Sequence, residues 1–452
     1  MPSDRLFGPS LGSDRMAAVV SDVAWVQAML DVEAALARAQ ARLEVIPDRA
    51  AQEIVSHCQA GEFDVAQIGR DASESANPVI PLVKALRNNV GPDAAPFVHL
   101  GVTSQDILDT AMMLIARRGI DVLVDDLRQA ASCAALLAER HRATPMAART
   151  LLQQASVTSF GLKAAGWLVA IVDACETLLI LRRRQLAIQL GGAVGTLAAL
   201  QGKGLEVADA LASELELTNP VIPWHTDRTR VVKVTGAAAI AAGTAGKIAL
   251  DVVLLTQTEV GEVHERPAPG RGGSSALPQK QNPVDAIEIL AAVRGVNAQA
   301  GVVLSSMVQE HERAAGAWQA EWPALSELFL LAGGVTSRLV SMLSSLEVDA
   351  DRMRRNLDLT KGLVMAEPLA TALGGRIDPA QARDLVDAAI GKARENGRPF
   401  EEVVREDRDI RRHLETDALR DALDPAHALG ESSQLIDRAL ARHRSMERAT
   451  DA

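Results

Sequence analysis

The chain has 452 residues, 48% hydrophobic and 23% charged, which excludes a disordered polypeptide and allows a large core with more than one domain. Its net charge of −11 argues against a nucleic-acid-binding surface, which needs clustered Lys and Arg, yet leaves room for a local positive site that takes a small anion. Aromatic residues make up 2% and Tyr is absent, so Ala, Leu and Val must fill the core, as suits closely packed helices.

In chain order, the opening "MPSDRLFGPSLGSDRM" carries acids and no apolar stretch of signal-peptide length. A first helix starts at the capping pair Ser21-Asp22, continues through Val26, Met29, Leu30 and Leu36, and ends before Pro47. Long helical patterns follow over about 105–141, 156–190, 228–265, 283–309 and 323–346, the second stopping at Gly191-Gly192. Strand alternation is nearly absent. These segments predict an all-α protein with an elongated bundle over 102–351, between an N-terminal helical domain (1–101) and a smaller, charge-rich C-terminal one (352–452).

No apolar run reads as long enough for a membrane span: "GWLVAIV" is bracketed by Lys163 and Asp173, and "GAAAIAAGTAG" by Lys233 and Lys247. The run "TGAAAIAAGTAGKIALDVVLL" is apolar nearly all round and must be buried, which predicts packing against further copies of the chain. Cys58, Cys133 and Cys175 are scattered and form no CxxC pair, so buried reduced thiols in a cytoplasmic protein are expected, with no metal.

Against this helical background the loop "GRGGSSALPQKQNPVD" at 270–285 stands out. Gly270, Gly272 and Gly273 allow unusual backbone angles, and Pro278 and Pro283 stiffen the far end. Lys280 and Asn282 lie just ahead of a helix start, where N–H groups and the dipole favour an anion. An ordinary interhelical connection would need few of these features. A second stretch, "HLGVTSQD" at 99–106, reads as a capping box with Thr103 as cap and Asp106 three residues on. "GGAVGT" at 191–196 lacks the Lys-Ser/Thr ending of a phosphate loop. His141, ending a long helix, reads as structural, whereas His225 in "PWHTDR" lies in a loop open to either a structural or an active-site role.

"GSSALPQKQNP" resembles the signature loop of the fumarase/aspartase superfamily, GSSxMPxKxNP, with Leu277 in place of Met. "HLGVTSQD" and "ARTLLQQA" at 148–155 accompany it in the right order, so the resemblance spans most of the chain. It implies three helical domains and a homotetramer with a central helical bundle and active sites built from loops of three subunits. It implies that Ser274 is the base that takes a proton from the carbon beside a carboxylate, needing activation by dipole, backbone N–H groups and positive charge. Lys280 and Asn282 would then steady the intermediate, and Thr103, Ser104 and His99 would hold a substrate carboxylate. Arg149, Thr150 and Gln153 would contact substrate, Arg313 would pair with a carboxylate, and His225 is a candidate substrate contact in a neighbour's site, with a structural role equally open. No cofactor is implied.

One departure bears on the reaction. Related lyases carry "RTH" where this chain has Arg149-Thr150-Leu151, and that His helps protonate the departing group. A departing amine needs that proton; a departing carboxylate does not. "TPMAARTLLQQASVTSFGLKAAGW" at 144–167, "PWHTDR" at 223–228 and "QEHERAAGAWQAEW" at 309–322 also resemble the 3-carboxy-cis,cis-muconate cycloisomerase branch, in which a substrate carboxylate adds to its own double bond and closes a lactone. The resemblance therefore implies a cycloisomerase acting on a small polycarboxylate. The alternative is an adenylosuccinate lyase-like elimination releasing fumarate, against which stand Leu151 and Trp322, the latter at a position where such lyases use Arg. Trp318 and Trp322 read equally as packing for an unsaturated substrate or as bundle filling.

Overall fold

The structure, a computed structural model, describes residues 6, 8–267, 272–273, 276–277 and 279–448. It is all-α, with two short two-stranded antiparallel ladders among the described residues. Helix α1 (Asp22–Arg42) opens where expected: the Ser21 hydroxyl accepts from Ala24 N at 3.2 Å. Its buried face carries Met29, Leu30, Leu36 and Ala37 at helical spacing, and also Glu33 and Gln40. Helix α2 (Val79–Asn89) and the long α3 (Ser104–Arg140) follow.

Next comes a hairpin, β1 (Pro145–Thr150) and β2 (Gln153–Ser159), then α4 (Phe160–Arg184) and α5 (Thr229–Thr256). Strand β3 (Val263–Glu265) precedes α6 (Val284–Ser305) and α7 (Ala317–Ser345). Strand β4 (Leu346–Val348) pairs with β3, and α8 (Ala350–Leu357) follows. Farther on, Leu369, Leu373, Val386, Phe400, Val404 and Ile410 form a core cluster within the C-terminal helices.

The long helices fall where periodicity placed them, with three corrections. Residues 156–159 belong to β2, not to a helix, and the helix that follows ends at Arg184, short of Gly191-Gly192. The ladder from Pro145↔Ser159 to Thr150↔Gln153 is irregular between Ala147 and Arg149, which breaks the two-residue alternation that would have revealed it. The third pattern leaves the helix after Thr256 and re-emerges as β3. Helix α7 begins before Pro323 instead of at it, so a proline that frees the Gln319 carbonyl sits inside the helix.

Two further expectations change. By length and composition, α4, α5, α6 and α7 are each apolar enough to cross a membrane, because the bracketing charges punctuate the stretches without ending them. Cys58 and Cys175 are buried, but Cys133 is half-buried; none of the three is in a disulfide. Burial pushes the Cys58 thiol up, with Glu33 adding to it.

The chain divides into two compact units, one of residues 1–127, 174–246 and 288–339, the other of 128–173, 247–287 and 340–452. These cuts fall inside the long helices, whereas boundaries drawn at 101 and 351 follow chain continuity.

Candidate active site

In the first unit the candidate residues gather around the start of α3. Asp106, read as a capping residue, does cap: its Oδ2 accepts from Thr103 N at 3.0 Å. It also accepts from Gly191 N at 3.0 Å and Gly192 N at 2.9 Å, and Oδ1 lies 2.7 Å from His225 Nε2. One buried carboxylate thus ties "HLGVTSQD" to "GGAVGT" and to "PWHTDR". His225, expected on a loop reaching a neighbour, is 5% exposed and held inside its own unit.

One turn along α3, Asp109 shares the fully buried Arg228 with Glu321 of α7. Arg228 Nη1 donates to Asp109 Oδ2 at 2.7 Å, and Nη2 donates to Glu321 Oε2 at 2.6 Å. Burial opposes the charge on Arg228, but Asp109 and Glu321 outweigh it and raise its pKa. Trp318 Nε1 donates to Asp109 Oδ1 at 2.9 Å and meets Trp322 edge to face, their centroids 4.8 Å apart, so Trp318 packs as a pillar of the bundle.

Gln105 joins this network to Arg313. Its Nε2 donates to Asp109 Oδ2 at 3.1 Å and to the His225 carbonyl at 2.8 Å, while its Oε1 accepts from Arg313 Nη1 at 3.1 Å. Arg313 Nη2 donates to the Ala193 carbonyl at 2.7 Å, and the side chain has no carboxylate partner among the described residues. Thr103 and Ser104 are half-buried, and their hydroxyls make no hydrogen bond among the described residues. His99 stands five residues before the helix with φ +61°, its Nδ1 2.6 Å from Glu33 Oε1. Burial lowers its pKa, but Glu33, by charge and hydrogen bond, and Asp106 outweigh that and raise it.

The second unit holds the hairpin and the signature loop. Arg149 makes a two-pronged pair with the buried Glu262, at 2.9 and 2.7 Å, and Asn356 Nδ2 donates to Glu262 Oε1 at 2.7 Å. Arg149, expected to contact substrate, is therefore engaged in pinning the hairpin. Gln154 Nε2 donates to the Asn356 carbonyl at 2.9 Å. Beyond them Thr150 pairs with Gln153, and the two-residue turn is Leu151-Leu152, with φ +50° and +65°. Such a turn favours Asn-Gly; here two leucines adopt it and stand 97% and 73% exposed. Lys163 has its pKa lowered by burial, against Asp251 and helped by Lys247 and Arg149. His141 packs edge-on against Phe160 at 5.5 Å, with a pKa lowered by burial and Arg140.

In the signature loop, Ser274 lies outside the described residues, as do Gly270, Ser275 and Pro278. The loop's neck is closed by a bridge between Gly273 and Gln281, and Asn282 clamps it: both its N and its Nδ2 donate to the Gly272 carbonyl, at 2.9 and 3.1 Å. Gly272 has φ +75°, and a Cβ there would lie 3.0 Å from the Asn282 carbonyl oxygen. Lys280 is exposed and unpaired among the described residues. The start of α6, expected to attract a substrate anion, already holds one: the Glu265 carboxylate accepts from Asp285 N at 3.1 Å and Ala286 N at 3.0 Å.

Sequence reasoning missed Glu33, Asp109, Arg228, Glu262, Glu265 and Glu321. The signal was available at some of them. Glu33 and Gln40 interrupt the apolar stripe of α1, and Asp106 and Asp109 that of α3, where a charge must have a partner. Among the described residues no group of three or more His, Cys, Asp or Glu side chains is arranged to hold a metal ion.

A family model described as Lyase matches residues 10–300, and a second, described as Adenylosuccinate lyase C-terminus, matches 362–439. The chain belongs to this lyase family, the fumarase/aspartase superfamily. It is 45% identical to 3-carboxy-cis,cis-muconate cycloisomerase of Bradyrhizobium diazoefficiens, over 96% of this chain and 97% of that one. It is 44% identical to nitrosuccinate lyase of Streptomyces davaonensis, over 96% and 94%. The solved structure of 3-carboxy-cis,cis-muconate lactonizing enzyme from Pseudomonas putida superposes with a TM-score of 0.93 at 39% identity, covering 98% of this chain and all of that one.

Proposed function

We propose that this protein is a cofactor-independent cycloisomerase that interconverts 3-carboxy-cis,cis-muconate and a carboxymuconolactone, a step in breaking down aromatic compounds. The carrying observation is the hairpin tip, where Leu151 presents bare hydrocarbon at the position of the general-acid His in related lyases. An amine cannot leave from such a site unprotonated, whereas a carboxylate can.

In the closing direction a substrate carboxylate oxygen bonds to an alkene carbon, and the neighbouring carbon takes a proton from the Ser274 hydroxyl. In reverse Ser274 removes that proton and the carbon–oxygen bond breaks. Closing leaves Ser274 as an alkoxide that regains its proton from water, so one proton is taken up from solvent on closing and one is released on opening. Lys280, exposed and unpaired among the described residues, and Asn282 steady the doubly charged carboxylate of the intermediate. His99, Thr103, Ser104 and the start of α3 bind a second carboxylate, and Arg313 a third. Thr150 and Gln153 line the site from the hairpin; Arg149 and His225 act by holding their loops in place.

The same reading makes the protein a soluble, cytoplasmic homotetramer with a central bundle and sites shared between subunits. Exposed apolar residues on the long helices support it, among them Ile240 and Leu250 on α5 and Ile287, Val302 and Leu304 on α6. Three successive domains, cut at about 101 and 351, remain our proposal for the chain's organisation.

A second reading is β-elimination of another weakly basic anion, which needs no acid at the tip either; the 44% identity to a nitrosuccinate lyase favours it over release of an amine. The test is proton NMR of products from 3-carboxy-cis,cis-muconate, nitrosuccinate and adenylosuccinate. Lactone from the first alone is expected; fumarate from the second or third, with no lactone, overturns the cycloisomerase reading.

A further inference from the structure

Three polar side chains converge on the strained turn that carries His99. Arg87 of α2 donates from Nη2 to the Val98 carbonyl at 3.1 Å. Gln40 of α1 donates from Nε2 to the Leu100 carbonyl at 2.8 Å. Glu33, two turns before Gln40 on the same face of α1, takes the His99 ring at 2.6 Å and is itself 2% exposed. The chain continues through Gly101 at φ +77°, where a Cβ would lie 2.4 Å from the Leu200 side chain. A non-glycine residue at φ +61° is strained and persists only where its surroundings over-determine it. Here they do: the backbone on both sides is tied down, and the ring is tied at Nδ1.

We infer that Glu33 is a positioning residue for the reaction: its buried carboxylate fixes His99 through Nδ1, so that Nε2–H is held as a charged donor for a substrate carboxylate at the start of α3. Nε2 makes no hydrogen bond among the described residues, and the His99 side chain keeps 15% of its surface. The charged groups facing the imidazole are Glu33 from α1, Asp106 from α3 and Arg87 from α2. The two acids favour the imidazolium and Arg87 opposes it, as does burial, and the balance raises the pKa. A fixed cation, unlike a surface lysine, loses little freedom on binding. The inference rests on the reading of His99 as a substrate-carboxylate ligand.

The test is the pH profile of kcat/KM with 3-carboxy-cis,cis-muconate for wild type, Glu33→Gln, Glu33→Asp, His99→Gln and the Glu33→Gln/His99→Gln double variant, beside their melting temperatures. As pH rises through the His99 pKa the cation is lost, so kcat/KM falls. In Glu33→Gln that fall is expected at lower pH by about one unit, with a loss of about tenfold at neutral pH carried mainly by KM. Glu33→Asp, which keeps the charge, recovers part of the shift and serves alone should the Gln variant not fold. Glu33→Gln adds nothing on top of His99→Gln. An unmoved fall, or a further tenfold loss in the double variant, overturns the positioning role and leaves His99 as a ligand. An unaltered profile in His99→Gln overturns that reading and the inference with it.

Discussion

The start of α3 and the tip of the β1–β2 hairpin treat their side chains in opposite ways. Around α3, Asp106, Asp109, Arg228 and Glu321 are buried, and each spends its charge on another part of the same unit. At the hairpin tip two leucines stand in solvent on left-handed backbone, with nothing charged beside them in the turn. The hairpin repeats the first arrangement at its base, where Glu262 holds Arg149, and abandons it at its tip. Buried charge in this protein fixes loops. Of the groups left for chemistry, Arg313 and Lys280 have no carboxylate partner among the described residues, and Thr103 and Ser104 keep neutral hydroxyls with no hydrogen bond there. A buried pair adds little net stability, since desolvation offsets attraction, so its use here is to set loop positions.

The comparison breaks most sharply at Arg228. Arg228→Met strands Asp109 and Glu321 without their cation, and chemical denaturation should read a loss of about 3–5 kcal/mol. Replacing all three by apolar residues of like volume should recover most of it. Equal losses would mean that the arginine's packing matters more than its charge. Glu262→Gln should cost about 1.5–3 kcal/mol, because Arg149 loses one of its two acceptors and the carboxylate's charge and meets an NH2 group instead, and proteolysis should then cut within 145–159.

At the tip the sign reverses. Exchanging Leu151-Leu152 for Asn-Gly relieves about 1–2 kcal/mol per leucine and should raise the melting temperature of the protein. If the leucines dock on another copy in the proposed tetramer, the same exchange lowers turnover and reduces the mass that light scattering reads. The smallest effect follows from His99. Its pKa is raised in the folded protein, so pairing with Glu33 gives stability that is full below the ordinary value of 6.5 and lost as pH rises through the folded value. The melting-temperature gap between wild type and Glu33→Gln should therefore narrow as pH climbs through that window.

The helices were legible because each long one repeats apolar residues at helical spacing over many turns, and because Ser21 and Thr103 mark two starts. The hairpin was not, since a bulge between Ala147 and Arg149 interrupts its alternation and its turn lacks the Asn or Gly that announces one. The candidate ligands His99, Thr103, Ser104 and Arg313 were named from motifs, and the structure brings them to one helix start. What holds them there was hidden for a physical reason. Glu33 lies 66 residues from His99, and Gly191 lies 85 residues from Asp106. Periodicity reports which face is buried, not which distant group meets it. Glu265 shows the same limit. A helix start just after Lys280 and Asn282 predicts an anion, and the anion there belongs to β3.

The most direct test of this account is the ultraviolet absorbance of 3-carboxy-cis,cis-muconate mixed with wild type and with Ser274→Ala. Lactone closure shortens the conjugated diene. Decay of the band is expected with wild type and, with the loss of the proposed proton-transferring group, decay slowed by about 10²- to 10⁴-fold in the variant. Equal decay with both would contradict the assignment of Ser274, and no decay with either would contradict the reaction itself.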